Sequence, residues 1–166
     1  MSYSNCCGHN DCRPCVEYIP CFGPAGPVGP TATNQFLSLG AGSAAILAVQ
    51  TPITFSSTLA TNGTDIAGLN PIILAPNHSY YVSYNINATS TATPGTLSGV
   101  LLLNGASITS STASITTTGI GSESIAGQAI IRTTGNTTST LQLATTASAI
   151  NIFTLANAGI SVIEIL

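Results

Sequence analysis

Charge is what this chain has least of. Asp, Glu, Lys and Arg together make up only 4% of its 166 residues, against roughly 25% in an ordinary soluble protein. Beyond Asn34 the charged side chains reduce to Asp65, Glu123, Arg132 and Glu164. Like-sign surface charge keeps soluble monomers apart, so a chain this neutral is expected to bury much of its outside against copies of itself. Lys and Arg total 2, which leaves nothing to neutralise a phosphate backbone and excludes nucleic acid as a partner. Long apolar runs are missing as well. The longest, AAILAV (44–49) and VLLL (100–103), fall far short of the ~20 residues that cross a bilayer as a helix, so no membrane partner is expected. The opening MSYSNCCGHNDC has neither a basic n-region nor an apolar h-region and is not read as a secretory signal.

What is present falls into three zones. Residues 1–22 hold all five cysteines, residues 23–33 hold a Gly-Pro repeat and a short polar run, and residues 34–166 are one texture of β-branched and small residues. In YYVSYNINA, Tyr80, Val82, Tyr84 and Ile86 share one parity while Tyr81, Ser83, Asn85 and Asn87 share the other. Two-residue periodicity sends alternate side chains to opposite faces of a sheet. The pattern recurs at Leu141 and Leu143, at Ile150 and Ile152, and in the last segment, where Ile160 and Val162 oppose Ile163 and Ile165. Turn pairs such as Asn62-Gly63, Asn70-Pro71, Asn104-Gly105 and Gly135-Asn136 punctuate the strands. Eight to ten short strands at this spacing predict an all-β, antiparallel sandwich or jelly roll with no convincing helix. Several strands (AIIRT, GVLLLNG, ISVIEIL) carry apolar residues on both parities. One face serves the core, and the other calls for a second partner.

The segment CFGPAGPVGP repeats Gly23-Pro24, Gly26-Pro27 and Gly29-Pro30 on a strict three-residue period. Gly-X-Y winds three chains about a crowded axis, so three-fold association is favoured. Three triplets span ~26 Å at most. Two readings stay open: a stiff polyproline II linker, or a three-stranded coupling made feasible by heads that already hold three chains together. The cysteines are Cys6, Cys7, Cys12, Cys15 and Cys21. Cys12-Arg-Pro-Cys15 has CxxC spacing, and zinc through Cys7, His9, Cys12 and Cys15 is geometrically admissible. Disulfides are the favoured reading, and an odd count favours at least one bond to another molecule. An arm of residues 1–22 extends ~70 Å, far enough to reach a neighbouring head. Val16, Tyr18, Ile19 and Pro20 are its candidate docking residues.

Three segments of the third zone, LAPNHSYYVSYNINA, LSGVLLLNGASITSSTAS and NAGISVIEIL, resemble the C-terminal jelly-roll domain of the collagen-like exosporium glycoproteins of spore-forming Bacillus, the BclA-like group. That domain is related in fold to the complement and tumour-necrosis-factor trimers. The resemblance implies a homotrimer with its last strand near the three-fold axis, located on the spore surface, where Thr/Ser tracts are open to O-glycosylation. Relatives usually carry long collagen stretches, whereas here the repeat is nearly gone. A cysteine arm before a β head is similar instead to the connector of Bacillus endospore appendage subunits. Together these imply a structural fibre of stacked trimers, with an exosporium anchor protein as a further partner. Release by mother-cell lysis would then allow disulfides without an export signal. A trimeric recognition head, an adhesin or a fibre tip, is the alternative.

Catalysis has little to draw on, and neither enzyme activity nor a cofactor is expected. His78 sits in the Pro76-Asn77 turn with no carboxylate near it in sequence and is read as a solvated loop residue. Asp65, Glu123 and Glu164 are the only carboxylates able to meet in the head, and Glu164 is expected to pair with Arg132 or with its own symmetry copies. Tyr80, Tyr81 and Tyr84 are read as core and interface packing. The sequons at Asn62, Asn77, Asn87 and Asn136 arise readily in a Thr-rich chain and are read as incidental.

Overall fold

The structure is a computed structural model that describes residues 34–91 and 94–165. The cysteine arm (Cys6, Cys7, Cys12, Cys15, Cys21, His9), its docking candidates Val16, Tyr18, Ile19 and Pro20, and the Gly23–Pro30 repeat lie outside these residues. The described chain is built of strands: β1 (Phe36–Ala41), β2 (Ala44–Ala45), β3 (Thr51–Pro52), β4 (Ser57–Asn62), β5 (Ile66–Ala67), β6 (Ile72–Leu74), β7 (Ser79–Ser90), β8 (Gly95–Leu103), β9 (Ala106–Ser107), β10 (Ala113–Thr117), β11 (Gly121–Arg132), β12 (Ser139–Ala147) and β13 (Phe153–Glu164). Eight of these have five or more residues, and one 3-10 turn, Thr109–Ser111, separates β9 from β10.

All pairings are antiparallel. The first sheet runs β11-β7-β13-β1-β4, with β2 beside β13; the second runs β10-β8-β12-β6-β5, with β3 beside β12 and β9 beside β8. Neighbours such as β1 and β13 come from opposite ends of the head. The result is the antiparallel jelly-roll sandwich that the alternation predicted.

Period-two patterning places the core. Leu37 and Leu39 of β1, Val82 and Ile86 of β7 and Ile160 and Val162 of β13 face Leu97 and Leu101 of β8 and Leu141 and Leu143 of β12, all buried. Tyr84 fills the space between the sheets. Its hydroxyl reaches the carbonyls of Gly99 (2.9 Å) and Ser111 (2.6 Å). Two glycines make room for it: a Cβ at Gly127 would stand 2.5 Å from the Tyr84 hydroxyl, and one at Gly99 would stand 3.2 Å from Tyr84 Cε2 and 2.6 Å from Ile86 Cδ1. At the β8–β9 hairpin, Asn104 and Gly105 both take positive φ (51° and 79°), the two-residue turn that matches strand twist.

Two expectations change. Ile150 and Ile152 alternate but do not begin a strand. Asn151 between them is left-handed (φ 61°), Ile150 is exposed, and β13 starts at Phe153. The second apolar face of GVLLLNG also needs no other molecule. Val100 and Leu102 are buried with Ala144 in a small cluster outside the second sheet. Of the chain's own residues, Gln50 reaches from the β3 side of β12 across to the Ser107 hydroxyl of β9, beside β8 (3.2 Å).

Candidate functional site

The outer face of the first sheet is different, because its side chains meet solvent. Register aligns them into rows. Ile130 of β11 lies opposite Tyr81 of β7, Tyr81 opposite Ile163 of β13, and Ile163 opposite Phe36 of β1. Directly opposed residues share a face, so this is one apolar row across four strands. Ile130 is 71% exposed, Ile163 44% and Phe36 37%. The next row is Gln128, Ser83, Ser161 and Ser38, and the one beyond is Ala126, Asn85, Gly159, Gly40 and Ser57.

These polar groups satisfy one another within the face. The Tyr81 hydroxyl donates to Gln128 Oε1 (2.6 Å), Ser38 and Ser161 hydroxyls pair at 3.1 Å, and the Asn87 amide donates to Asn157 Oδ1 (2.7 Å). The face is therefore smooth, small-residue and already hydrogen-bonded, with Arg132 at one corner as its charged group among the described residues. Beside it, all six residues of the edge strand β4 are exposed, Leu59 by 67%. Natural edge strands are usually blunted by charge or proline, and Ser-Thr-Leu-Ala-Thr-Asn carries neither.

A second feature lies at the end of the sandwich where β13 finishes. His78 Nδ1 stands 2.6 Å from Glu164 Oε1, with the Glu164 side chain buried and the His78 side chain 33% exposed. The expectation for His78 as a free loop residue is thus corrected, and Glu164 has His78 as a partner, which the sequence did not suggest. Asp65 joins them: one ligand atom from each of Asp65, His78 and Glu164 lies within 4.8 Å of the others. Glu123 lies elsewhere, opposite Ala88. Tyr80 is fully buried, stacks on the His78 ring (6.2 Å between centroids) and directs its hydroxyl to the Asp65 and Ala75 carbonyls. The Thr133 hydroxyl is likewise committed, to the Ala75 carbonyl at 2.7 Å. A His–carboxylate pair is two parts of a nucleophilic triad, but these hydroxyls spend their hydrogens on main-chain carbonyls. Of the three tyrosines read as packing, Tyr80 and Tyr84 are core and Tyr81 belongs to the exposed row.

Burial, and then the Glu164 carboxylate, push the Tyr80 hydroxyl up to about 12. Burial also raises Tyr84. A phenol whose folded value exceeds its unfolded value of about 10 contributes stability that is complete below about pH 10 and is lost as pH rises through about 12. The unfolding free energy from urea melts is expected to fall between about pH 10 and pH 12 by an amount on the order of 2–3 kcal/mol, with the midpoints falling in step. Tyr80→Phe should flatten much of that slope. An unchanged slope in this variant would remove Tyr80 as the source.

Among solved structures the chain is similar to PRD1 vertex protein P5, with a TM-score of 0.52 and 16% identity over 80% of this chain and 97% of that one. It is also similar to murine APRIL, with a TM-score of 0.48 and 8% identity over 80% of this chain and all of the other. At 16% identity the likeness to the vertex protein shows the fold alone. No family model and no curated protein matches the chain.

Proposed function

We propose that this protein is the structural subunit of a spore-surface fibre, in which jelly-roll heads associate as homotrimers and the trimers stack through their N-terminal arms. The observation that carries it is the exposed outer face of the first sheet, an apolar row on an internally hydrogen-bonded surface whose one charge among the described residues is Arg132 at a corner. Its occupant is a second copy of this chain. A face whose one charge among the described residues is Arg132 at a corner presents little pattern for a partner of opposite sign, and nearly neutral copies repel one another little. The Gly23–Pro30 repeat favours three copies, because Gly-X-Y closes around three chains.

Stacking rests on the sequence of the first 22 residues. Their five cysteines and the Val16–Pro20 segment suit covalent docking into a neighbouring trimer, with the three triplets as a short coupling between heads. The spore setting, lysis of the mother cell as the route outside, and an exosporium anchor protein at the fibre base rest on the BclA-like and appendage-like resemblance. The role is non-enzymatic and needs no cofactor.

Negative-stain microscopy of the purified chain, with and without reductant, tests both levels. Fibres that shorten or separate into trimers on reduction are expected. Isolated trimers that never stack, even when oxidised, would overturn the fibre and favour a recognition head; monomers at micromolar concentration would overturn both.

A further inference from the structure

Residues 34–166 contain five Asp, Glu, His or Arg side chains in all: Asp65, His78, Glu123, Arg132 and Glu164. Three of them converge on one spot, ligand atoms within 4.8 Å of one another. In a chain so poor in charge, this concentration needs a physical account. An ion pair accounts for His78 and Glu164, but it leaves Asp65 as a second carboxylate beside a buried first one, and like charges at that range disfavour each other. A dication bound among the three removes the conflict.

We infer that Asp65, His78 and Glu164 form a binding site for a late first-row divalent cation, with zinc the foremost. The donor set is one imidazole nitrogen and two carboxylate oxygens. Imidazole selects zinc, copper, nickel or iron over calcium and magnesium, which favour all-oxygen shells. Three protein ligands leave a further position to water from the exposed His78 side.

Each donor is held by its own backbone anchors. His78 is clamped by Thr133: the His78 N–H donates to Thr133 Oγ1 (3.1 Å) and the Thr133 N–H donates to the His78 carbonyl (2.9 Å). The two carboxylate residues are tied together through Gln35, whose side-chain oxygen accepts from the Asp65 N–H (3.2 Å) and whose carbonyl accepts from the Glu164 N–H (3.0 Å). Glu164 is 4% exposed and enters from the core side, whereas His78 is one-third exposed and borders solvent. An ion therefore has both a fixed floor and a way in.

The 2.6 Å separation of His78 Nδ1 and Glu164 Oε1 is a hydrogen bond with a proton between the two atoms. Ligands sharing a zinc with bonds of ~2.1 Å sit roughly 3.4 Å apart. Binding thus requires the imidazole to swing outward by about 1 Å, which its solvent-facing position permits. The cation takes the place of the bridging proton on Nδ1: from an imidazolium that proton goes to solvent, from a neutral imidazole it moves to Nε2, so the ligand is a neutral ring either way and no oxidation occurs. Affinity is accordingly expected to fall at acid pH.

The test uses the full chain with its cysteines alkylated by iodoacetamide, which removes the thiolates as competing ligands. Zinc chloride is titrated by calorimetry at pH 7 in two buffers of different ionisation enthalpy. One ion per chain is expected, with at least a tenfold weaker binding in Asp65→Asn and in His78→Gln, and the two buffers together count any protons released. Calcium chloride should give no heat. Cobalt(II) added to the alkylated wild-type chain needs no variant: it should give weak visible bands at one equivalent. No zinc binding by the alkylated wild type would overturn the site, as would binding unchanged in both folded variants, which would leave the cluster an ion pair only. These outcomes are independent of whether the heads trimerise.

Discussion

Ile163→Asp is expected to yield a folded monomer. Ile163 sits on the outer face of β13, 44% exposed, between Tyr81 and Phe36. In an isolated head an aspartate there is solvated, and surface substitutions of that kind change stability by about 0.5 kcal/mol or less. Against a second copy the same carboxylate is stripped of water with no cation to meet it, apart from Arg132 at the corner of the face. An uncompensated buried charge costs about 3–5 kcal/mol, and a symmetric assembly incurs it at every copy. Three such charges drawn to one axis would also repel each other. Light scattering after gel filtration should therefore show the monomer mass at micromolar concentration, with far-UV circular dichroism unchanged. Ile120→Asp, 75% exposed in the loop before β11, is the control and should leave the oligomer intact. An oligomer that survives Ile163→Asp would mean the face is not the contact.

Tyr84→Ala carries the largest expected loss within the head, about 3–5 kcal/mol, the range for deleting a buried aromatic ring. The site cannot collapse to fill the gap, because two of the residues around the ring are Gly99 and Gly127, which have no side chains to advance. Tyr84→Phe separates the ring from its hydroxyl. Filling the same space, it should lose only about 1–3 kcal/mol, since the Gly99 and Ser111 carbonyls lose their donor. Gly127→Ala makes the converse error of overpacking, at about 1–3 kcal/mol. Denaturant unfolding in the Ile163→Asp background avoids the concentration dependence that association brings. If Tyr84→Ala costs no more than Tyr84→Phe, the ring is not a structural post between the sheets.

The alternation of Tyr80, Val82, Tyr84 and Ile86 sufficed to read β7 and its inward face, because a half-buried strand leaves its burial pattern in every second residue. Ile160 and Val162 did the same for β13. The same rule misread Ile150 and Ile152, where two alternating isoleucines flank a left-handed asparagine and two residues are too few to separate turn from strand. It also misjudged Val100 and Leu102. Apolar residues on both parities signal two covered faces, but they do not say whether the cover is another molecule or, as here, the chain's own residues around Gln50. The His78–Glu164 pair was beyond local reading. The partners are 86 residues apart, and only the strand order that brings the end of β13 beside the start of β7 joins them. The scarcity of charge was the one available hint, since in so neutral a chain any histidine and carboxylate are drawn to each other.

The position of β1 bears on how the head would carry load. It enters at Phe36 as an inner strand, hydrogen-bonded to β13 on one side and β4 on the other. A pull on Asn34 in line with the strand stretches both ladders in shear, so their bonds resist together. At an edge strand pulled sideways the same bonds would open one after another. Rupture under tension is governed by the unfolding rate, not by equilibrium stability. A filament of such heads would owe its tensile strength to the placement of this six-residue strand more than to how tightly the heads are folded.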